Sequence, residues 1–180
     1  LIGTNWLVSH GHSNAVPDPV VHLREQRARG GEVWVVDPRR TETARLADRH
    51  LRPRPSTDHL VLAHLVREVL RDGIDHAYVA DHVEPTAIEQ LRVAVEPCTR
   101  EMVAAAAGLD AADLDELVAA VRRAGRVSAL TGTGVSMSHH ANVTEWLLWA
   151  LHICTGSYDR PGGMWFNPGY LMQLDTRPWA

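Results

Sequence analysis

Lysine is missing from this chain: all 18 basic residues among its 180 are arginines, set against 22 acidic ones for a net charge of −4. Basic residues cluster only locally, as at Arg39 with Arg40 and Arg52 with Arg54. A broad phosphate-tracking surface, and with it a nucleic-acid partner, is therefore not expected. Cysteine is nearly absent too. Cys98 and Cys154 lie far apart and form no CxxC pattern, which argues against a disulfide framework or a cysteine metal site and fits a reducing, cytoplasmic setting. No apolar run approaches the roughly 18–20 residues of a membrane span, and no signal peptide precedes the fold. The chain also has no initiator methionine, and Leu1-Ile2-Gly3 reads as the end of a strand. The sequence is thus expected to be a piece of a longer polypeptide.

The pattern that is present alternates short buried strands with helices. Residues 1–3 read as a truncated strand and Thr4 to Val16 as a polar loop carrying His10 and His12. Pro17 and Pro19 punctuate the start of a helix that runs to about Arg29. Val33 to Val36 is a continuous apolar run, the mark of a strand buried on both faces. Thr41 is placed to cap a short helix to Asp48, and His50 to Arg54 reads as a strand broken by Pro53.

Thr57 or Asp58 begins an amphipathic helix through Leu62, Leu65, Val69 and Leu70, stopping at Asp72-Gly73. Two short helices flank Glu84-Pro85, another runs from Asp110 to Arg123, and Val127 to Thr131 reads as a last buried strand. Val143 to Cys154 is apolar enough for a largely buried helix, with Trp146 and Trp149 assigned to the core or a domain interface. This order predicts an α/β fold, a three-layer αβα, Rossmann-like arrangement with a mostly parallel sheet. Residues 1–154 would form that domain, and 155–180, rich in Gly, Pro and Trp, a tail leading to neighbouring domains.

Open α/β sheets bind ligands beyond the carboxyl ends of their strands. Here those ends are Gly3 to Ser9, Asp37 to Thr41, Ser56 to Asp58 and Gly132 to Met137. They offer small and polar groups for ribose hydroxyls or a base edge, and Gly3, Gly132 and Gly134 would let a ligand approach the backbone closely.

The ordered segments GTNWLVSH, DPRRTETARLAD, PSTD, LTGTGVSMSHHAN and LHICTGSYDRPGG together resemble the molybdopterin oxidoreductases of the dimethyl sulfoxide reductase and formate dehydrogenase type. The resemblance covers essentially the whole chain. It implies a fragment that binds one guanine dinucleotide of a molybdenum bis(molybdopterin guanine dinucleotide) cofactor, inactive alone. Its parent enzyme would perform a two-electron redox or oxygen-atom transfer on a small-molecule substrate.

By position, Gly3, Thr4, Asn5 and Ser9 would line the pyrophosphate and pterin, and Asp37, Pro38, Arg39, Arg40 and Thr41 would meet ribose and phosphate. Ser56, Thr57 and Asp58 would read the guanine, since a carboxylate accepts from both the ring and the exocyclic N–H of that base. Thr133 and Met137 would approach the pterin. The metal ligand, and the cysteines of any iron–sulfur cluster, would lie on chain preceding Leu1, so the partners are the remaining domains of the same polypeptide.

Four positions depart from the family pattern. Trp6 replaces the proline of Asn-Pro, Ser56 the glycine of Pro-Gly-Thr-Asp, Met137 a common glutamine, and Pro168 an arginine of formate dehydrogenases.

A different reading is a generic nucleotide-fold module, such as the central domain of a thiamine-diphosphate enzyme. It gives DPRRT and PSTD no shared role. An NAD fingerprint is absent, because no GxGxxG follows the first strand. His10, His12, His139 and His140 lack a carboxylate or cysteine at ligand spacing and read as ordinary loop histidines. Arg39 and Arg40 either face solvent or pair with Glu42 and Asp48.

Overall fold

The computed structural model describes residues 1–9 and 18–165. Its centre is one helix. Val61, Leu62, Leu65, Val66, Val69 and Leu70 recur at helical spacing along α4 (Asp58–Arg71), and all are buried. Burying each such side chain stabilises the fold by about 1.5–3 kcal/mol. Around α4 pack α6 (Pro85–Val95), α7 (Arg100–Ala107), α8 (Ala111–Ala124) and, most extensively, α10 (Ala141–Cys154). Helix α5 (His76–His82) follows the turn at Gly73 and rests on α10.

The strands are short. β1 (Trp34–Val36) and β2 (Arg49–Leu51) pair in parallel, with Val35 opposite His50. Ile2 adds parallel bridges to Val36 on one side and to Thr131 on the other. Four parallel segments therefore lie side by side in the order Thr131, Ile2, β1, β2. The domain is thus a helix-rich α/β unit with a small parallel sheet.

Local signals explain most boundaries. Asp18 caps α2 (Pro19–Ala28) by accepting from the Val21 N–H at 3.1 Å. Thr41 does the same for α3 (Glu42–Leu46) through the Ala44 N–H at 3.1 Å.

The structure departs from the sequence reading in five places. Residues taken as polar loop include a helical turn, α1 (Trp6–Ser9), held by the Asn5 carbonyl, which accepts from the Val8 and Ser9 N–H groups. β2 spans 49–51 instead of 50–54, because Pro53 has no N–H to continue a ladder and Arg54 N–H instead donates to Ala107 O at 2.7 Å. Helix α7 has no counterpart in the sequence reading, although Thr99 caps it and Gly108 closes it at φ 68°.

The segment 127–131 joins the sheet only through the bridge at Thr131 and is at most half-buried. Its other edge is occupied by side chains: Val127 N–H donates to Ser157 Oγ at 2.9 Å and Ala129 N–H to His152 Nε2 at 3.0 Å. Finally, of the two readings of Trp146 and Trp149 the core is excluded: they are 55% and 40% exposed, on the face of α10 opposite the buried Leu147, Leu148 and Leu151. Cys154 is a buried free thiol and Cys98 a half-buried one. Among the described residues, no helix is long and apolar enough to cross a membrane.

Candidate functional site

The carboxyl ends of the four parallel segments form one rim, built first from glycines. Gly3 N–H donates to Val36 O, Gly132 N–H to Ile2 O and Gly134 N–H to Gly3 O, all at 2.9–3.0 Å. A Cβ on Gly132 would stand 2.4 Å from Thr4 Cβ, and one on Gly134 2.8 Å from Gly3 O. The missing side chains thus let the first and fourth loops touch each other. The side chain of Thr4 is buried in that contact.

Asn5 faces inward. Its Oδ1 accepts from Thr43 Oγ1 at 2.9 Å and Thr43 N at 3.3 Å, and its Nδ2 donates to Glu42 at 2.7 Å. These bonds fasten α1 to α3. Ser9 Oγ donates to Asn5 O at 3.1 Å on the surface, and Thr41 is fully engaged as the α3 cap.

Beyond β1, the Asp37 carboxylate accepts from Arg39 N–H at 2.8 Å, a local turn that leaves the next side chains outward. Pro38, Arg39 and Arg40 are exposed. Neither arginine makes an ion pair or side-chain hydrogen bond among the described residues. The two acids proposed as their partners are committed elsewhere, Asp48 to Arg27 at 2.7 Å and Glu42 to Asn5. Arg39 acts on Glu42 only through its charge, without an ion pair, and two exposed guanidinium groups at a strand end suit an anion.

The third loop is strained. Ser56 has φ 66°, the left-handed region that glycine occupies without cost. This is the position where the family pattern carries glycine. Thr57 Oγ1 donates to Arg54 O at 2.6 Å, which closes the turn and delivers Asp58 to the first turn of α4.

Asp58 is only 7% exposed, and no cation pairs with it among the described residues. Burial pushes its carboxyl above the ordinary aspartate value; its own backbone N–H opposes the shift, and the nearby Asp37 charge adds to it. A buried carboxylate without a cation is costly unless something supplies donors.

The fourth loop reaches the same place from the other side. His140, at the start of α10, lies against His59 with ring centroids 4.1 Å apart, and His139 stands edge-on to His140 at 4.9 Å. Burial, reinforced by His140, lowers the His59 pKa. Nothing in the linear pattern pointed to His59, because its partner lies 81 residues away.

Thr133 and Met137 bracket the single turn α9 (Thr133–Ser136), and Met137 is 83% exposed. No group of three His, Cys, Asp or Glu side chains among the described residues is placed to hold a metal. His10, His12 and Pro168 lie outside the described residues. Two cavities of about 420 and 430 Å³ lie away from the rim, the first among the ion pairs of α4, α7 and α8.

So the structure gathers Asp37, Arg39, Arg40, Ser56 and Asp58 at the ends of β1 and β2, with the glycine-tied first and fourth loops beside them. In class this is an α/β domain of parallel strands with a polar ledge at their carboxyl ends. The solved structure of acetylene hydratase from Pelobacter acetylenicus shares the fold, with a TM-score of 0.69 at 23% identity over 89% of this chain and 21% of that one.

No family model matches the chain. Among curated proteins, formate dehydrogenase H of Escherichia coli (strain K12) is 27% identical over 161 residues, which is 88% of this chain and 22% of that protein. YjgC of Bacillus subtilis (strain 168), which carries an oxidoreductase name, is 27% identical over 166 residues, 90% of this chain and 16% of that protein. These similarities run along nearly the whole chain and agree with the resemblance to the molybdopterin oxidoreductases that its motifs carry. It spans between a sixth and about a fifth of the length of the curated relatives it matches.

Proposed function

We propose that this chain is the part of a molybdenum-dependent oxidoreductase that holds the guanine dinucleotide portion of a molybdopterin guanine dinucleotide. The observation that carries the reading is Asp58, a buried carboxylate with no cation among the described residues, presented at a helix start by a strained turn. The ring and exocyclic N–H groups of guanine are the paired donors such a carboxylate lacks, and adenine presents no such pair.

Arg39 and Arg40 supply the charge for the phosphates, and Asp37 accepts from a ribose hydroxyl. Asn5, Thr4 and Thr41 act in this reading as the frame that fixes the loops, and Thr133 and Met137 border the pterin side. The first rim loop, from Gly3 to Ser9, closes on the pyrophosphate. The sheet and its flanking helices form the three-layer, Rossmann-like support for that ledge.

The bound cofactor supplies two-electron redox chemistry at molybdenum or tungsten, including oxygen-atom transfer to or from a small-molecule substrate. The residues of this chain bind and orient it. The metal ligand and any iron–sulfur cluster belong to other segments of the parent polypeptide.

The test is chemical. Acid hydrolysis of the purified full-length gene product should release GMP, and Asp58→Ala should weaken cofactor retention by about 1–3 kcal/mol, the cost of unpaired buried donors. Released AMP in place of GMP, or unchanged GMP content in the variant, would overturn the guanine assignment.

A further inference from the structure

Helix α10 contains a single carboxylate, Glu145, and no arginine in its 14 residues. Its inner face, with Leu147, Leu148, Leu151 and Cys154, is buried against the core. Its outer face carries Val143, Trp146 and Trp149, exposed by 48%, 55% and 40%. The Glu145 carboxylate is itself taken by the Thr131 hydroxyl. A helix apolar on both sides is a core helix by composition, and half-exposed tryptophans in a row mark a contact surface. Trp149 is already oriented, standing edge-on to Tyr158 at 5.5 Å.

We propose that this face of α10 docks another part of the same polypeptide. Three side chains leave on the order of 300 Å² to cover, well under the ~800 Å² per partner of a stable complex between separate molecules. A tethered neighbour needs far less area, because the linker holds it at high effective concentration. The relatives provide such a neighbour: more than three quarters of each lies outside the stretch that this chain matches. The inference uses their length and the α10 surface, and does not depend on the cofactor reading.

The experiment places the photo-crosslinking residue p-benzoylphenylalanine at position 146 of the full-length gene product, Trp146→p-benzoylphenylalanine, with GMP content measured in parallel. The expected result is a link within one polypeptide, to a residue outside these 180, at a yield unchanged by dilution of about tenfold. Val143→p-benzoylphenylalanine, one turn away, should link to the same region. A link to a second molecule, a yield that falls on dilution, or a yield no higher than at the exposed Val93 of α6 would each overturn the proposal. Absence of GMP from the parent product, with the link intact, would count against the cofactor reading alone.

Discussion

Replacing Asp58 by Asn should make the fold more stable while removing its proposed function. Two effects favour the charge at this position, the first turn of α4 and the residue's own backbone N–H. A carboxylate near a helix start gains about 0.3–1 kcal/mol from the aligned peptide dipoles, and one hydrogen bond adds about 1 kcal/mol. Desolvation outweighs them, since the carboxyl sits above its ordinary pKa, with Asp37 adding to the cost.

Asn keeps an oxygen for the backbone bond and discards the buried charge. The expected gain is about 1 kcal/mol, within the range for relieved functional sites, and for a chain of this size it raises Tm by roughly 2–4 °C. The sign follows from linkage: a folded-state pKa raised above 3.8 makes the charge a cost at every pH above it. The advantage of Asp58→Asn should therefore be full at neutral pH, shrink as pH falls through the raised pKa, and vanish below 3.8, the ordinary value. Thermal melting across that range checks it. A variant that melts lower than the parent at neutral pH, or by a margin independent of pH, would refute the reasoning.

Two further outcomes are expected. Ser56→Gly should stabilise the chain by about 1 kcal/mol by relieving the left-handed backbone at φ 66°, read as a rise in denaturation midpoint, whereas Ser56→Val should lower it. His152 is fully buried, and burial lowers its pKa to about 4 from 6.5. It accepts the Ala129 N–H through Nε2, so protonation there breaks a bond. A depressed histidine pKa means that stability falls as pH drops below 6.5 and levels off near 4, a loss of roughly 3 kcal/mol. His152→Gln should flatten that part of the pH–stability curve.

Much of the helical scaffold was legible in the chain because its signals are local. Thr41 caps where a cap was sought, and the stripe from Leu62 to Leu70 announces α4. The strands were harder to delimit. Val127 to Thr131 has the apolar composition of a buried strand, but its outer edge is closed by His152 and Ser157, which no nearby pattern could reveal.

Of the rim, the loops could be placed from strand ends alone. What each side chain does there depends on contacts across the fold: Asn5 with Thr43, Thr4 with Gly132, His59 with His140. The tryptophans of α10 show the opposite limit, since apolarity in a sequence says that a side chain is to be covered without saying by what.

The bridges of Ile2 carry a consequence for how this molecule is made. The segment at the centre of the sheet is made before either of its neighbours, Val36 and, 129 residues further along the chain, Thr131. β1 and β2 can pair once Leu51 has been added, yet the other flank of Ile2 stays open until Thr131 has emerged. Long-range parallel pairing of this kind is slow. A growing chain would carry an unpaired strand flank from Ile2 until Thr131 is made, and the window in which it could meet the wrong strand is set by the helices between.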